Sequence, residues 1–308
     1  MQRGKIFSKV IHCILFFQIT VVLFSCAKPS GNIQSKFSVK DDTGLEVNFD
    51  SHPKRIISLG PNITETIYEL GADSVLVGVT EYCDYPPQAK TKTNTGSYLS
   101  PDYEIISSLK PDLIIINVES SNNPTYQSLM NMGFRLFLSH ARDLTGINKM
   151  ISDIGKITGV NERADLLIKK ISSELPDVTK PDSLSETALI IIAVNPLMTT
   201  NDKTFINEIS ELAGFRNIYA GEVQEYPVIN YEDVVNRNPD VIIFPTDTLN
   251  TGKNSEYETE IRERMHNSGA VKNGNIIFID EDIMFRPGPR ITDAVKTLRN
   301  KYIRKELK

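Results

Sequence analysis

Along the chain, apolar residues fall into three patterns. The first is one run from Val10 to Phe24, preceded by Arg3, Lys5 and Lys9 and stopped at Leu23-Phe24-Ser25-Cys26. The second, from residue 36 to 138, alternates short apolar runs with amphipathic stretches. Phe37-Ser38-Val39 and Leu45-Glu46-Val47 flank the turn Asp41-Asp42-Thr43-Gly44, a pattern that predicts a hairpin. Strands are expected over Ile56–Leu59, Val75–Val79, Leu113–Ile116 and Arg135–Leu138, and helices over Ile63–Leu70, Tyr103–Leu109 and Tyr126–Met132. Asn62 or Thr64 is expected to cap the first helix. In the third pattern Leu144, Ile147, Met150, Ile154 and Ile157 recur at helical spacing until Thr158-Gly159. Asn161 can then cap a helix from Glu162 to about Leu175. After a Pro/Ser/Asp link, a second series follows. It has strands over Thr187–Val194, Val241–Phe244 and Asn275–Ile279, and helices over Thr204–Ala213, Tyr231–Asn236 and Pro289–Leu307.

Continuously apolar strands alternating with helices indicate parallel sheets covered on both faces. The expected fold is therefore α/β, with two lobes of mainly parallel sheet joined by one helix. The expected boundaries are 37–158 for the first lobe, 159–185 for the bridging helix and link, and 186–308 for the second. The leading run is too short to span a membrane stably. Its basic start, apolar middle and small residues before the break describe a secretory signal over 1–25. A cysteine directly after the small residue resembles a bacterial lipoprotein signal. This resemblance implies export, lipid attachment at Cys26 and a polar tether over 26–36, with lipid as the sole contact to the membrane. The anchor would face the periplasm or the outer cell surface.

Composition narrows the function. The whole chain carries −5; without the three basic residues of the signal the balance is −8, with no basic stripe to meet nucleic acid. With Cys13 and Cys26 set aside, Cys83 is the remaining thiol, so neither a disulfide framework nor a cysteine-built metal site is expected. His12, His52, His140 and His266 lie far apart in sequence. Gly-x-Ser-x-Gly elbows, Walker loops and dinucleotide fingerprints are absent from the sequence, and Asp41/Asp42 and Asp280/Glu281/Asp282 sit where turns are solvated. Catalysis is not expected, and neither is a resident metal or cofactor.

Ligands of open α/β sheets bind beyond the carboxyl ends of the strands. Three segments at such ends are rich in aromatic and charged residues: Glu81–Gln88, Gly96–Pro101 and Asp280–Arg290. Together they suit a bulky, partly apolar guest.

From Arg55 onward the sequence resembles the cobalamin-binding subunit of bacterial ABC importers. The resemblance is carried by Arg55-Ile56-Ile57-Ser58-Leu59, Asn62-Ile63-Thr64-Glu65, Val77-Gly78-Val79-Thr80 and Glu81-Tyr82-Cys83-Asp84-Tyr85-Pro86-Pro87-Gln88. Lys110-Pro111-Asp112-Leu113-Ile114 and Arg286-Pro287-Gly288-Pro289-Arg290 are similar to blocks of the wider class of helical-backbone solute-binding proteins, which also takes haem and ferric siderophores. The resemblance implies two Rossmann-like lobes, a single backbone helix, a ligand cleft between the lobes and little hinge motion.

It also implies ligand contacts at Tyr82, Tyr98, Met198, Tyr226, Asp282 and Arg286. Tyr98 and Tyr226 stand where the best-known members carry tryptophan, a residue this chain lacks. A tyrosine can still stack on a flat macrocycle. Glu104 and Glu232, each near a helix start in its own repeat, match the class's permease-docking acids. The implied function is a monomeric, lipid-anchored binding protein that hands cobalamin or a related corrinoid to permease subunits served by a cytoplasmic ATPase. Haem, through a phenolate of Tyr82 or Tyr98, and a ferric siderophore, through Arg286 and Arg290, stay open as ligands. A surface enzyme or cofactor chaperone on the same fold is the more distant reading.

Overall fold

A computed structural model describes residues 36–176, 186–247 and 251–306. The signal, Cys26, the tether up to residue 35 and most of the link lie outside these described residues. Strands β1 (Phe37–Lys40) and β2 (Glu46–Phe49) form the expected antiparallel hairpin. Next come β3 (Ile56–Leu59), α1 (Pro61–Glu69), β4 (Leu76–Val79), β5 (Thr93–Asn94), α2 (Tyr103–Ser108), β6 (Leu113–Ile116), α3 (Pro124–Asn131) and β7 (Leu136–Leu138). Helices α4 (Leu144–Thr158) and α5 (Asn161–Glu174) separate this series from the second one. That series comprises β8 (Glu186–Ile190), α6 (Phe205–Leu212), β9 (Phe215–Asn217), α7 (Tyr231–Arg237), β10 (Val241–Thr246), α8 (Thr251–Arg264), α9 (Gly269–Lys272), β11 (Ile276–Asp280), α10 (Glu281–Phe285) and α11 (Ile291–Glu306).

The strands of each lobe pair in parallel. Their order is β5-β4-β3-β6-β7 in the first lobe and β11-β10-β8-β9 in the second. Period-two alternation explains why the strands read as unbroken apolar runs. Ile56, Leu113 and Ile115 point into a cluster shared with the helix pair, while Ile57, Ile114 and Ile116 point into a separate cluster on the opposite face. In the second lobe Ala188, Ile190, Val241 and Ile243 face the shared cluster, and Leu189, Ile242 and Phe244 face the other side.

The shared cluster runs from one sheet to the other through Ile147, Met150, Ile151, Ile154 and Ile157 of α4. Asp143 caps this helix, its Oδ1 accepting from Gly146 N at 2.6 Å, and Glu208 of the second lobe accepts Leu144 N–H at 2.8 Å. A wedge of apolar side chains packed against both sheets resists the sliding or opening that a bare hinge would permit.

Three local expectations need correction. Gly60, not Asn62 or Thr64, precedes α1, and Pro61 opens the helix. Asn62 lies inside it, its side chain turned to Pro287 and Asn117, while Thr64 donates to Ser58 Oγ at 2.8 Å. Asn161 is the first residue of α5, and no side chain caps that helix. Asp280, Glu281 and Asp282, expected at a solvated turn, instead open a helix: Asp280 caps the five-residue α10, accepting from Asp282 N at 2.9 Å.

Candidate functional site

A parallel sheet gathers the loops that follow its strands at one end. In the first lobe the chain leaves β3 and β6 toward opposite edges, and in the second lobe it does so from β8 and β10. Each lobe therefore has a switch point at its carboxyl end. A cavity of about 570 Å³ lies at the first, walled by Leu59, Gly60, Tyr98, Leu99, Asn117 and His140 among others. One of about 190 Å³ lies at the second, walled by Ile191, Val194, Phe244, Asp247, Glu281 and Phe285 among others. A third, of about 220 Å³, takes Asn117, Glu119, His140 and Arg142 from the first lobe and Phe205, Glu225 and Tyr226 from the second. Asn117, Glu119 and His140 also wall the first cavity, and Phe285 walls both the second-lobe cavity and the third. The three form a cleft between the carboxyl ends of the two sheets.

Local chemistry positions these walls. The loops of Tyr82 and Tyr98 are stitched together by Glu81 N–H donating to Gly96 O at 3.1 Å. Gly96 adopts φ +83, and a Cβ there would sit 2.8 Å from Ser100 O, so a larger residue is excluded twice over. Thr125 Oγ1 holds the Tyr98 carbonyl at 2.9 Å. At the cleft edge Arg142 and Glu225 form an ion pair between the lobes, exposed enough to contribute little stability. Burial, with Glu225 adding to it, raises the Tyr226 pKa, so its phenol stays protonated.

Of the residues expected to meet ligand, Tyr98 walls the first-lobe cavity and Tyr226 the third cavity, at 38% and 43% exposure. Tyr82 lies on the adjoining loop, 52% exposed, and does not wall these three cavities. Met198 is half-buried and tied to Ala193 O by its N–H at 2.9 Å, also outside these walls. Arg286 is engaged elsewhere, meeting Glu65 at 3.2 Å, Asp84 at 2.8 Å and Asp282 at 2.5 Å. Arg290 forms a fork on the same Glu65, at 2.8 and 2.6 Å, and lies 4.1 Å over the Tyr85 ring. The Arg286–Arg290 block thus clamps the C-terminal segment onto α1, and that clamp presents Phe285 and Pro287 to the cleft. Burial pushes the Asp282 pKa up to about 6. Arg286 and Arg290 pull it down, while Asp84 and Asp280 add to the rise.

Glu104 and Glu232 are exposed and occupy matching places, each the second residue of a short helix. Asp102 caps the first helix, accepting from Glu104 N at 3.0 Å, and Asn230 caps the second. Cys83 is buried, hydrogen-bonded to Thr64 and Thr80, and burial raises its pKa.

The model of the family described as periplasmic binding proteins matches residues 56–283. The chain belongs to that family. It is 29% identical over 296 residues to an uncharacterised ABC transporter substrate-binding lipoprotein, YvrC, of Bacillus subtilis, an alignment covering 90% of this chain and 92% of the other. The crystal structure of the periplasmic vitamin B12 binding protein BtuF of Vibrio cholerae matches at TM-score 0.68 and 27% identity, over 83% of this chain and 99% of that one. A Staphylococcus epidermidis structure, titled as that of a possible iron-binding periplasmic solute-binding protein, matches at TM-score 0.70 and 26% identity, over 82% and 99%. This binding protein is of the ABC-importer type, works outside the cytoplasm and is not an enzyme. Among the described residues no helix is long and apolar enough to cross a membrane.

Motif-by-motif reading overlooked Asn117, Glu119, His140, Arg142 and Glu225 as cleft residues, while Phe285 lay within the Asp280–Arg290 segment it had singled out. A signal for the first three did exist. They are among the earliest polar residues after the apolar strands β6 and β7, where strand-end loops open on the switch point.

Proposed function

We propose that this binding protein captures cobalamin or a related corrinoid in the interlobe cleft and delivers it to an ABC importer. The observation that carries this reading is the cleft itself. Tyrosines from opposite lobes, Tyr98 and Tyr226, flank a continuous space whose remaining walls mix apolar surface (Leu59, Leu99, Phe285) with amide and charged groups. Such walls suit a flat guest with an apolar face and a rim of polar side groups. The vitamin B12-binding relative adds support. Tyr82, Met198 and Asp282 would contribute at the margin of a guest larger than these cavities. Arg286 would act by holding the segment that bears Phe285.

On the same reading, Glu104 and Glu232 dock the two lobes on the permease. Their matching exposure at helix starts supports this, and rim charges of this kind govern association rate and orientation. Lipidation at Cys26 would keep the protein at the membrane as a monomer, in keeping with the lipoprotein name of the Bacillus relative. Calorimetry of the lipid-free protein against cyanocobalamin, hemin and a ferric siderophore tests the ligand. Cyanocobalamin is expected to bind tightest. Hemin binding with a tyrosinate spectrum lost on Tyr82→Phe or Tyr98→Phe would replace the corrinoid reading with the haem one.

A further inference from the structure

We propose that His140 selects the axial chemistry of the guest, its Nε2 lone pair ligating an exchangeable axial position of the metal in the bound macrocycle. This rests on the corrinoid reading above and adds a residue to it that no sequence motif marks.

The argument starts at a backbone carbonyl. Pro287 O can only accept, so the Asn62 side-chain atom 3.1 Å from it is Nδ2. That turns Asn62 Oδ1 toward Asn117, whose Nδ2 donates to it at 3.2 Å. Asn117 must then present Oδ1 to His140, 3.1 Å from Nδ1. An amide oxygen does not donate, so His140 Nδ1 carries the hydrogen. A neutral imidazole holds one such proton, which leaves Nε2 bare on the opposite edge of the ring.

Nε2 has no hydrogen-bond partner among the described residues, and the ring is part of the wall of both the 570 Å³ and the 220 Å³ cavities. Burial, and then the charge of Arg142, hold the imidazole below its ordinary pKa, against smaller opposite pulls from Glu119, Asp42 and Glu225. The neutral form is therefore the resident one at neutral pH.

An imidazole that only filled space would have no use for a fixed tautomer. Here four residues distant in sequence cooperate to set one. Space is also reserved for the relay, since a Cβ on Gly60 would come within 2.8 Å of Asn117 Cβ and 3.1 Å of Asn62 Oδ1. A far ring N–H donated to a carbonyl oxygen is the arrangement by which proteins orient metal-binding histidines and raise their basicity. Ligation needs no redox partner. The axial water leaves the cobalt as the nitrogen–cobalt bond forms, and no electron changes hands.

The test compares aquocobalamin, whose axial water exchanges, with cyanocobalamin, whose cyanide does not. The wild-type protein is expected to shift the visible spectrum of aquocobalamin on binding and to prefer it over cyanocobalamin. His140→Gln should abolish both the shift and the preference. Asn117→Ala, which frees the tautomer, should cut aquocobalamin affinity by about 10- to 100-fold. Circular dichroism checks that each variant is folded, and the wild-type spectrum alone decides if one is not. Tight binding of both corrinoids by the wild type without a spectral shift would overturn the role of His140 and leave the corrinoid reading standing. An unchanged preference in His140→Gln would do the same. Binding of neither corrinoid would overturn both.

Discussion

Glu65 offers the sharpest test of the tertiary argument. Its carboxylate is 3% exposed and faces two guanidinium groups, Arg290 at 2.6 and 2.8 Å and Arg286 at 3.2 Å, both arginine side chains being 14% exposed. Glu65→Ala removes the anion and orphans the largely buried Arg290 beside Arg286, which keeps Asp84 and Asp282. Breaking a buried pair in this way costs about 3–5 kcal/mol, since the orphaned charge keeps its desolvation penalty and loses its compensation. Against a total stability of about 5–15 kcal/mol, that is a large fraction. For a protein of this size it corresponds to a melting temperature lower by roughly 6–20 °C. Urea unfolding followed by circular dichroism measures the loss, and tyrosine emission gives a second probe because the chain has no tryptophan. Hydrogen exchange should localise the effect to residues 281–290. Corrinoid affinity should fall with it, because the clamp holds Phe285 and Pro287 in the cleft wall. A loss below about 1 kcal/mol, the range of exposed pairs, would refute the claim that this network fastens the segment.

Three further outcomes follow from named contacts. Gly60→Ala should destabilise the protein by about 1–3 kcal/mol through overpacking against Asn117, and an unchanged urea midpoint would show that the relay can yield. Glu104→Ala combined with Glu232→Ala should retain ligand affinity and abolish stimulation of the importer's ATPase in reconstituted vesicles; intact stimulation would defeat the docking role. Asp282, with its folded pKa raised to about 6 from an ordinary 3.8, holds its proton more tightly in the native state. Its stabilising contribution is complete below pH 3.8 and is lost as pH rises through 6. The stability of the wild type relative to Asp282→Asn should therefore decline between pH 4 and 7, and a flat difference would contradict the burial argument.

Much of the architecture was already present in the order of residues. Ile56–Leu59 and Leu113–Ile116 could only be strands buried on both faces, because each places apolar side chains on either side of its sheet. Helices such as α4 and α6 announced themselves by spacing. Elements with weak apolar signals did not. Strands β5 and β9 are edge strands of two and three residues, and α8 is polar apart from a few positions such as Ile261, so neither alternation nor helical period stood out.

The site divides along the same line. Tyr98 was recognisable as a candidate from its aromatic strand-end segment, and Tyr226 from the family resemblance alone. Two partners of Arg286 were not, since Glu65 and Asp84 meet it only when the chain returns more than two hundred residues later, whereas Asp282 is its neighbour one turn away. His140 is the clearest case. Its one-dimensional neighbourhood carries no motif, and its tautomer depends on a hydrogen-bond direction set at Pro287 and transmitted through Asn62 and Asn117. Periodicity is a local property, so the chain alone determined where strands and helices form and which faces they bury. Which carboxylate meets which arginine, and which imidazole edge is left bare, depends on contacts between distant segments, and only the packed structure decided it.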